Sequence, residues 1–374
     1  MIVQKQGWRQ LDWVLLGTAL LICTAGVLAI RSALHLDLHP LDMVRKQIFG
    51  VVLGLSVAVA LAHSDYEVLV KRYARYLYPL NIFLLLVVLS HFGGHASKGA
   101  SRWIKLGPAE LQPSEFAKII LIATLALFLS QHEQTITEWR TLLKSLVHIG
   151  IPMLLIAKQP DLGTALVLLA IWFGMTLIAG ARPLHLLAVL LAGVVLFAVL
   201  WQFNPGHLLK DYQKNRLQVF LNPSADPRDT GYHLRQSEIA IGSGGIGGEG
   251  YEKGAQSNGK FIPEQHTDFI FTIVGEEGGF IVCAGLLALY LLLLVRGVLI
   301  MAECEDQLGR LLAAGVLSML TFHIVVNAGM TMGIMPVVGV PLPFFSYGLS
   351  SLLVNLLAVG ILLSVAARKH RVMF

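Results

Sequence analysis

Carboxylates at the start of an apolar segment are the clearest chemical signal in the sequence. Asp268 ends a polar stretch that begins near residue 204, and Glu264 lies in the same stretch. An apolar run of spanning length follows, so Asp268 is predicted at a membrane surface. An aspartate there either caps a helix or takes part in a reaction, and its position alone leaves both hypotheses open. The neighbouring Pro263 and His266 exceed what a cap requires and favour a reaction.

Two further acids, Glu276 and Glu277, follow Asp268 along the same apolar run. If the run is helical, with about 1.5 Å of rise per residue, they lie roughly 12 Å beyond Asp268 and inside the apolar layer. Carboxylates are costly there, so each is expected to have a functional or structural reason.

Cations near this face could serve a phosphate-bearing lipid. Lys98 and Arg102 precede Trp103, an aromatic residue typical of the membrane interface, although an ordinary surface loop has the same composition. Glu115 and Lys118 share a helix face at a spacing of i,i+3. They form either a structural ion pair or, through Lys118, a site for an anionic head group.

Turn and cap residues interrupt the apolar runs at three further places. Ser114 is predicted to cap the helix that carries Glu115 and Lys118. Asp161 follows Pro160 between two apolar runs, where it either forms a turn or lines a cavity. Residues 232–241 are predicted to be helical, and a glycine-rich run follows at 242–248. No βαβ pattern surrounds these glycines, so a nucleotide site is disfavoured, while a phosphate-binding turn and plain flexibility stay open.

Composition indicates a polytopic membrane protein. Hydrophobic residues make up 55% of the 374 residues, charged residues 14%, and the mean hydropathy is +0.69. The net charge of +5 comes from scattered Lys and Arg residues, so nucleic acid is not an expected partner. The three cysteines lie in or beside apolar segments and predict neither a disulfide nor a metal site. No motif for ATP use, zinc hydrolysis or serine hydrolysis is present.

Hydropathy predicts one membrane domain over residues 1–374, all-α, with ten transmembrane helices and a large extracytoplasmic loop at about 203–268 between helices 7 and 8. The first span is interpreted as a retained signal anchor. The fifth and sixth resemble a re-entrant pair broken at Pro160. Short segments rich in Lys and Arg favour cytoplasmic N- and C-termini. The expected spans are about 11–31, 47–63, 76–92, 115–131, 144–157, 162–180, 184–202, 269–296, 308–328 and 347–367.

This orientation would place the polar runs 93–114, 158–161, 203–268 and 329–346 together on the outer face. They could then converge on one site. The run 327–348 is apolar but rich in Gly and Pro, so it is predicted to be an irregular outer segment rather than one straight helix.

Six stretches together resemble one known family. They are 98–103, 112–118, 160–164, 236–245, 263–271 and 327–348, and they are similar to the successive signatures of the SEDS family over essentially the whole chain. The last stretch resembles the elongation branch of that family more than the division branch. Leu349 departs from the pattern, since the family usually has a second glycine after the Tyr-Gly at 347–348.

The resemblance implies a peptidoglycan glycosyltransferase that polymerises lipid II on the outer face of the cytoplasmic membrane of a bacterium. It also implies a class B penicillin-binding protein as partner, the elongation machinery and a divalent metal ion whose ligands the sequence does not identify. Asp268 falls on the family's catalytic aspartate, with Glu264 as the next candidate. The residues expected to bind substrate are Lys98, Arg102, Glu115, Lys118, Gln236 and Ser243.

Such a reaction needs a base for the sugar hydroxyl and positive charge for the departing pyrophosphate, which Asp268 and the cations could supply. Two alternatives stay open. A lipid II flippase could use intramembrane charges as a route, but it would need polar residues through the full depth. A scaffold that only activates the penicillin-binding protein has no distinguishing pattern.

Overall fold

The fold is a bundle of long helices with one small sheet. The computed structural model describes residues 11–36, 40–90, 95–97, 100–106, 109–203, 211–222, 226, 230–259, 261–262 and 265–368. The helices are α1 (Trp13–Leu34), α2 (Pro40–His63), α3 (Tyr66–Leu89), α4 (Pro113–Gln131), α5 (Trp139–Lys158), α6 (Leu162–Ile178), α7 (Pro183–Phe203), α8 (Asp211–Leu221), α9 (Thr230–Ser243), α10 (Ala255–Asn258), α11 (Ile270–Glu303), α12 (Gln307–Thr331) and α13 (Leu349–Ala366).

The prediction of an all-α polytopic membrane protein is confirmed, and each of the ten predicted spans falls on a helix. Within the described ranges, nine helices have the length and composition to cross a membrane, and α6 is a shorter apolar helix. α2, α3 and α5 begin several residues earlier than predicted, because the helix continues through a polar first turn. In α3 the side chain of Asp65 stabilises that turn by accepting from the backbone N–H of Glu67 at 3.0 Å.

α5 and α6 are two separate helices that pack against each other, and the chain breaks between them at Pro160 as predicted. The re-entrant interpretation of this pair stays a prediction. With 20 and 17 residues, they are near or at the lower limit of spanning length. The connection between them is only three residues long, at Gln159–Asp161.

An antiparallel sheet of three short strands is an addition to the predicted all-α fold. Its strands are β1 (His95–Ser97), β2 (Ala100–Leu106) and β3 (Ala109–Leu111), in that order. His95 pairs with Trp103, and Ile104 pairs with Leu111. Hydropathy alone misses such strands because each is short and half polar.

The two ends of the bundle carry different connections. One end, called the site end below, carries the sheet, the α5–α6 connection, helices α8 to α10, the turn 265–269 and the irregular segment 332–348. The opposite end carries the connections at 63–65, 131–138, 179–182 and 304–306. The predicted convergence of the polar runs is therefore confirmed for the parts that the structure describes.

α12 and α13 form the centre of the bundle, and α7 lies at its edge. In both central helices 78% of the most apolar stretch is buried, against 6% in α7. α12 packs on α4, α6, α11 and α13. The polar side chains of His323, Asn327 and Thr331 on α12 are buried and therefore face protein.

α11 is broken at Gly279, which has a positive φ of 64°. The glycine-rich run packs directly on this break. The N–H groups of Glu249 and Gly250 donate to the carbonyl oxygens of Glu276 and Glu277, both at 3.0 Å. In return, the N–H of Phe280 donates to the carbonyl oxygen of Gly245 at 2.9 Å. The run thus satisfies backbone groups that the broken helix leaves unpaired, which the membrane interior requires.

The two buried acids of α11 have structural reasons. Glu276 is fully buried, and its carboxylate accepts from the backbone N–H groups of Gln256 at 2.5 Å and Ser257 at 3.0 Å, at the start of α10. Glu277 Oε1 accepts from the hydroxyl of Ser32 on α1 at 2.5 Å. Glu276 thus attaches α10 to α11, and Glu277 attaches α11 to α1.

Candidate active site

Asp268 lies in the turn 265–269, immediately before α11, and its side chain is half-buried. The N-cap position of α11 is Phe269. Asp268 is therefore one residue too early to be the N-cap residue that the structural hypothesis required. Its carboxylate lies beside Gly339 of the irregular segment.

The backbone of the turn is held at three successive residues. The hydroxyl of Ser346 donates to the carbonyl oxygen of Thr267 at 2.7 Å, and the N–H of Tyr347 donates to that of His266 at 2.9 Å. Asn327 Nδ2 on α12 donates to the carbonyl oxygen of Asp268 at 2.9 Å. The turn is thus clamped between α12 and the irregular segment, which fixes where the Asp268 side chain begins.

Gly339 brings Asp268 close to a cation that sequence reasoning did not select. A Cβ on Gly339 would lie 3.3 Å from Asp268 Oδ2 and 3.8 Å from both terminal nitrogens of Arg216. Arg216 Nη1 also donates to the carbonyl oxygen of Val338 at 3.0 Å. A carboxylate and a guanidinium thus both lie beside a residue that has no side chain. In the sequence, the only signal for Arg216 was its position in a long polar loop of a membrane protein.

Asp161 is the N-cap of α6 and not a free carboxylate. Oδ1 accepts from the N–H of Thr164 at 3.2 Å, and Oδ2 accepts from the hydroxyl of Thr164 at 2.9 Å. Oδ2 also accepts from the Ser114 hydroxyl and from Gln112 Nε2, both at 3.2 Å. The predicted N-cap role of Ser114 is wrong, because Pro113 already occupies the first turn and Gln112 is the cap residue. Ser114 instead joins α4 to α6.

Arg102 on β2 binds backbone carbonyl groups at the α5–α6 connection. Its Nε donates to the carbonyl oxygen of Gln159 at 2.8 Å, and Nη2 donates to that of Pro160. These bonds attach the sheet to the bundle beside Asp161. The predicted contact of Arg102 with substrate phosphate stays a prediction, with its remaining N–H groups as the donors.

Glu115 and Lys118 form a buried ion pair on α4. Lys118 Nζ lies 2.9 Å and 2.8 Å from the two carboxylate oxygens of Glu115, and Lys118 has no exposed surface. Nζ also lies 3.2 Å from Nε2 of His323 on α12, whose Nδ1 lies 3.0 Å from the carbonyl oxygen of Pro341. In this arrangement the ammonium group faces protein, so a direct contact with a head group would require it to leave these partners.

The structure describes two of the other predicted site residues, Gln236 and Ser243, and both lie on α9. Gln236 is half-buried on α9, next to the buried Ser237 whose hydroxyl donates to the carbonyl oxygen of Thr331 at 2.8 Å. Ser243 is exposed, and its hydroxyl donates to the carbonyl oxygen of Ala240 in its own helix at 2.9 Å. Lys98 and Glu264 lie outside the described residues.

Tyr347 adds a neutral phenol beside the clamped turn. Its ring centroid lies 5.5 Å from that of His266. Burial raises the pKa of Tyr347, and the Glu110 carboxylate raises it further. The hydroxyl therefore keeps its proton at neutral pH and is available as a hydrogen-bond donor.

A resident divalent ion does not fit the donors seen here. Among the described residues, no three His, Cys, Asp or Glu side chains lie close enough to hold a metal ion. The acceptor sites of Asp161 are occupied by hydrogen bonds from three side chains and a backbone N–H. The expectation of a divalent ion stays a prediction without assigned ligands.

A cavity of about 730 Å³ lies at the opposite end of the bundle, lined by residues that include Lys71, Glu133, Glu305, Asp306 and Arg310. None of its lining residues belongs to the clamped turn or the irregular segment. It is therefore separate from the candidate active site.

Comparison with known proteins assigns the family. The cell cycle protein family of FtsW, RodA and SpoVE matches residues 12–371. The chain belongs to this family. The match covers every element of the site described above, from the sheet to the irregular segment, and it confirms the resemblance to the SEDS family. The chain is 40% identical to the peptidoglycan glycosyltransferase MrdB of Escherichia coli K12, over 99% of this chain and 97% of that protein.

Other members of the family agree with this assignment. The peptidoglycan glycosyltransferase RodA of Treponema pallidum is 36% identical, over 97% of this chain and 99% of that protein. Among solved structures, a chain of a peptidoglycan synthase complex has a TM-score of 0.82 at 33% identity, over 97% of this chain and 100% of that one. RodA of Thermus thermophilus has a TM-score of 0.71 at 30% identity, over 97% of this chain and 99% of that one.

Proposed function

We propose that this family member is a peptidoglycan glycosyltransferase that polymerises lipid II during cell elongation. Family membership and the activity named for the MrdB and RodA relatives support the proposal. The observation that carries it is the position of Asp268 at the start of a membrane helix, with its backbone clamped and Arg216 beside it across Gly339.

Asp268 is the general base in this proposal. Its carboxylate takes the proton from the acceptor sugar hydroxyl as that oxygen forms a bond to the anomeric carbon of the donor. The bond from the anomeric carbon to the lipid pyrophosphate breaks, and the pyrophosphate leaves with its electron pair. A direct displacement of this kind inverts the anomeric carbon, from an α-linked donor to a β-linked product. Glu264 is the alternative carboxylate, in the same outer stretch.

Positive charge must stabilise the departing pyrophosphate. Arg216 is a candidate for this role, because it lies beside Gly339, as Asp268 does. Arg102 and Lys98, together with Gln236 and Ser243, are proposed to bind the rest of the substrate. Lys118 is proposed to support the site from inside the bundle without touching the substrate, because its ammonium group contacts Glu115 and His323.

The setting of the reaction follows from the membrane. The chain is a multi-pass membrane protein. We place the site end on the outer face of the bacterial cytoplasmic membrane, with both termini in the cytoplasm, because of the Lys and Arg distribution. A class B penicillin-binding protein is the proposed partner, supported by the likeness to a chain of a complex described as coordinating polymerisation and crosslinking.

Polymerisation of lipid II by the purified chain tests this function. We expect glycan strands from the chain in detergent or liposomes, measured with and without the penicillin-binding protein. Strands that appear only with a partner carrying its own polymerase site would support a scaffold instead. Transfer of labelled lipid II between leaflets, with no strands under any condition, would support a flippase.

A further inference from the structure

Two side chains on one face of α12 connect Asp268 to the buried ion pair of α4. His323 and Asn327 are four residues apart, so they point to the same side of the helix. His323 contacts Lys118 and the carbonyl oxygen of Pro341. Asn327 Nδ2 donates to the carbonyl oxygens of Val340 at 2.8 Å and Asp268 at 2.9 Å. Together they bind two consecutive residues of the irregular segment and the Asp268 turn.

The partners of His323 determine its protonation state. The carbonyl oxygen of Pro341 can only accept a hydrogen bond, and the ammonium of Lys118 can only donate one. Both contacts are satisfied when the neutral ring carries its proton on Nδ1 and accepts at Nε2. A charged ring would place two positive groups 3.2 Å apart with no surface exposed to water.

The partners of Asn327 determine its orientation in the same way. Its two N–H groups meet two carbonyl oxygens, so the opposite orientation of the amide would set oxygen against oxygen. Asn327 is fully buried, and its Oδ1 has no hydrogen-bond partner among the described residues. An unsatisfied buried acceptor costs free energy, so a structural role alone is a poor reason for an asparagine here.

We infer that His323 and Asn327 are positioning residues for the glycosyl transfer, an inference that rests on the proposed role of Asp268. They hold the Asp268 turn and the segment at 340–341 in one fixed relation to α4 and α12. Arg216 binds the carbonyl oxygen of Val338 in the same segment. The positions of Arg216 and the Asp268 carboxylate relative to each other are thereby fixed. Neither residue is required to touch the substrate.

Variants of His323 separate this role from a space-filling one. A glutamine at 323 can donate its amide N–H to the carbonyl oxygen of Pro341 and accept from Lys118 with its amide oxygen, whereas phenylalanine can do neither. We expect His323→Phe to lower kcat for lipid II polymerisation about 100-fold, the size of loss that small misplacements cause, with KM within a few-fold. We expect His323→Gln to stay within about 10-fold of the parent.

Variants of Asn327 test the second link. Asn327→Leu keeps similar volume and removes both donors, so a loss of kcat of about 100-fold is expected, again with little change in KM. Asn355 on α13 is the matched control, since it is equally buried and its Nδ2 donates to Ser351 Oγ of its own helix at 3.3 Å. His148→Phe is the control for His323, because His148 contacts Thr124 and Tyr78 away from the irregular segment.

The outcomes distinguish this inference from the proposed function. Asp268→Asn is assayed beside the α12 variants. Asp268→Asn could lose activity while folded His323→Phe and Asn327→Leu keep kcat within a few-fold of the parent. This result would overturn the positioning role and leave the proposed role of Asp268 as general base intact. If Asp268→Asn stays active, the base itself is wrong. Should His323→Phe not fold, a folded His323→Gln that loses more than about 10-fold still contradicts the inference, as does a loss confined to KM.

Discussion

Lys118 and Glu115 form a buried ion pair in which Nζ contacts both carboxylate oxygens, at 2.9 Å and 2.8 Å. Neither side chain has appreciable exposed surface. Each charge of this pair is compensated by the other, and the Lys118 ammonium also donates to His323 Nε2. Removing one partner leaves a buried charge, whereas removing both leaves polar groups of smaller cost.

The first prediction concerns this pair. Lys118→Met should lower the free energy of unfolding by about 3–5 kcal/mol, and the double variant with Glu115→Gln should be destabilised less than that. Thermal unfolding of the purified proteins in detergent measures both. The exposed pair of Lys71 and Glu67, 2.6 Å apart, is the control, and Lys71→Met should cost at most a few tenths of a kcal/mol, about 0.2–0.5.

A charge-swapped pair gives a further check on the geometry. Exchanging Glu115 and Lys118 would set a carboxylate against the lone pair of His323 Nε2. We therefore expect the swapped protein to be less stable than the neutral double variant. Equal stability of the two would show that His323 is not coupled to the pair.

The second prediction concerns the base. Asp268→Asn should reduce lipid II polymerisation by about 10²–10⁴ while expression and partner binding stay at parent levels, because asparagine cannot take the proton. Asp65→Asn is the matched control. Asp65 caps α3 at the opposite end of the bundle, and asparagine keeps the capping acceptor, so activity should not change and the free energy of unfolding should fall by about 0.3–1 kcal/mol through the lost charge.

Loss of activity through misfolding would give a different pattern. A shared fall in yield and thermal stability for Asp268→Asn would mean a structural role. Polymerisation within a few-fold of the parent would rule Asp268 out as the base and direct attention to Glu264.

The third prediction concerns the glycine-rich run that packs on the break in α11. Gly248 has a φ of 77°, and a Cβ there would lie 2.1 Å from the carbonyl oxygen of Glu277. Gly248→Ala should therefore cost about 1–3 kcal/mol from backbone strain, with the clash in addition. Gly247 is the adjacent control, since a Cβ there meets nothing within 4 Å and its φ is not positive. If both variants unfold at the same temperature, the run does not pack on α11 as described.

The fourth prediction concerns orientation in the membrane. A cysteine at exposed Ala255 should react with an impermeant thiol reagent added to intact spheroplasts, and one at exposed Gln131 should react only after permeabilisation. Ser257, also in α10, is a poor labelling position because it is buried and its hydroxyl donates to Glu276. Labelling in the reverse order would invert the proposed topology and place Asp268 on the cytoplasmic side.

The sequence alone determined the class of fold, and it predicted where the chemistry lies. Long apolar runs can only be satisfied as helices in lipid, so the span count follows from hydropathy. The Gly and Pro residues between 329 and 346 exclude a straight helix. Six stretches spread over the whole chain, of which the one around Asp268 is only one, together predicted the family.

Tertiary structure decided what each polar side chain does. Arg216 is distant from Asp268 in sequence, and only the folded chain places both side chains beside Gly339. His323 lies within an apolar helix, and its role appears only when α4 packs against α12 and places Lys118 beside it. Ser114 follows Pro113, which moves the cap to Gln112 and frees its hydroxyl for Asp161. Hydrogen bonds between distant segments depend on distances that local patterns do not encode, and this is why these roles required the folded chain.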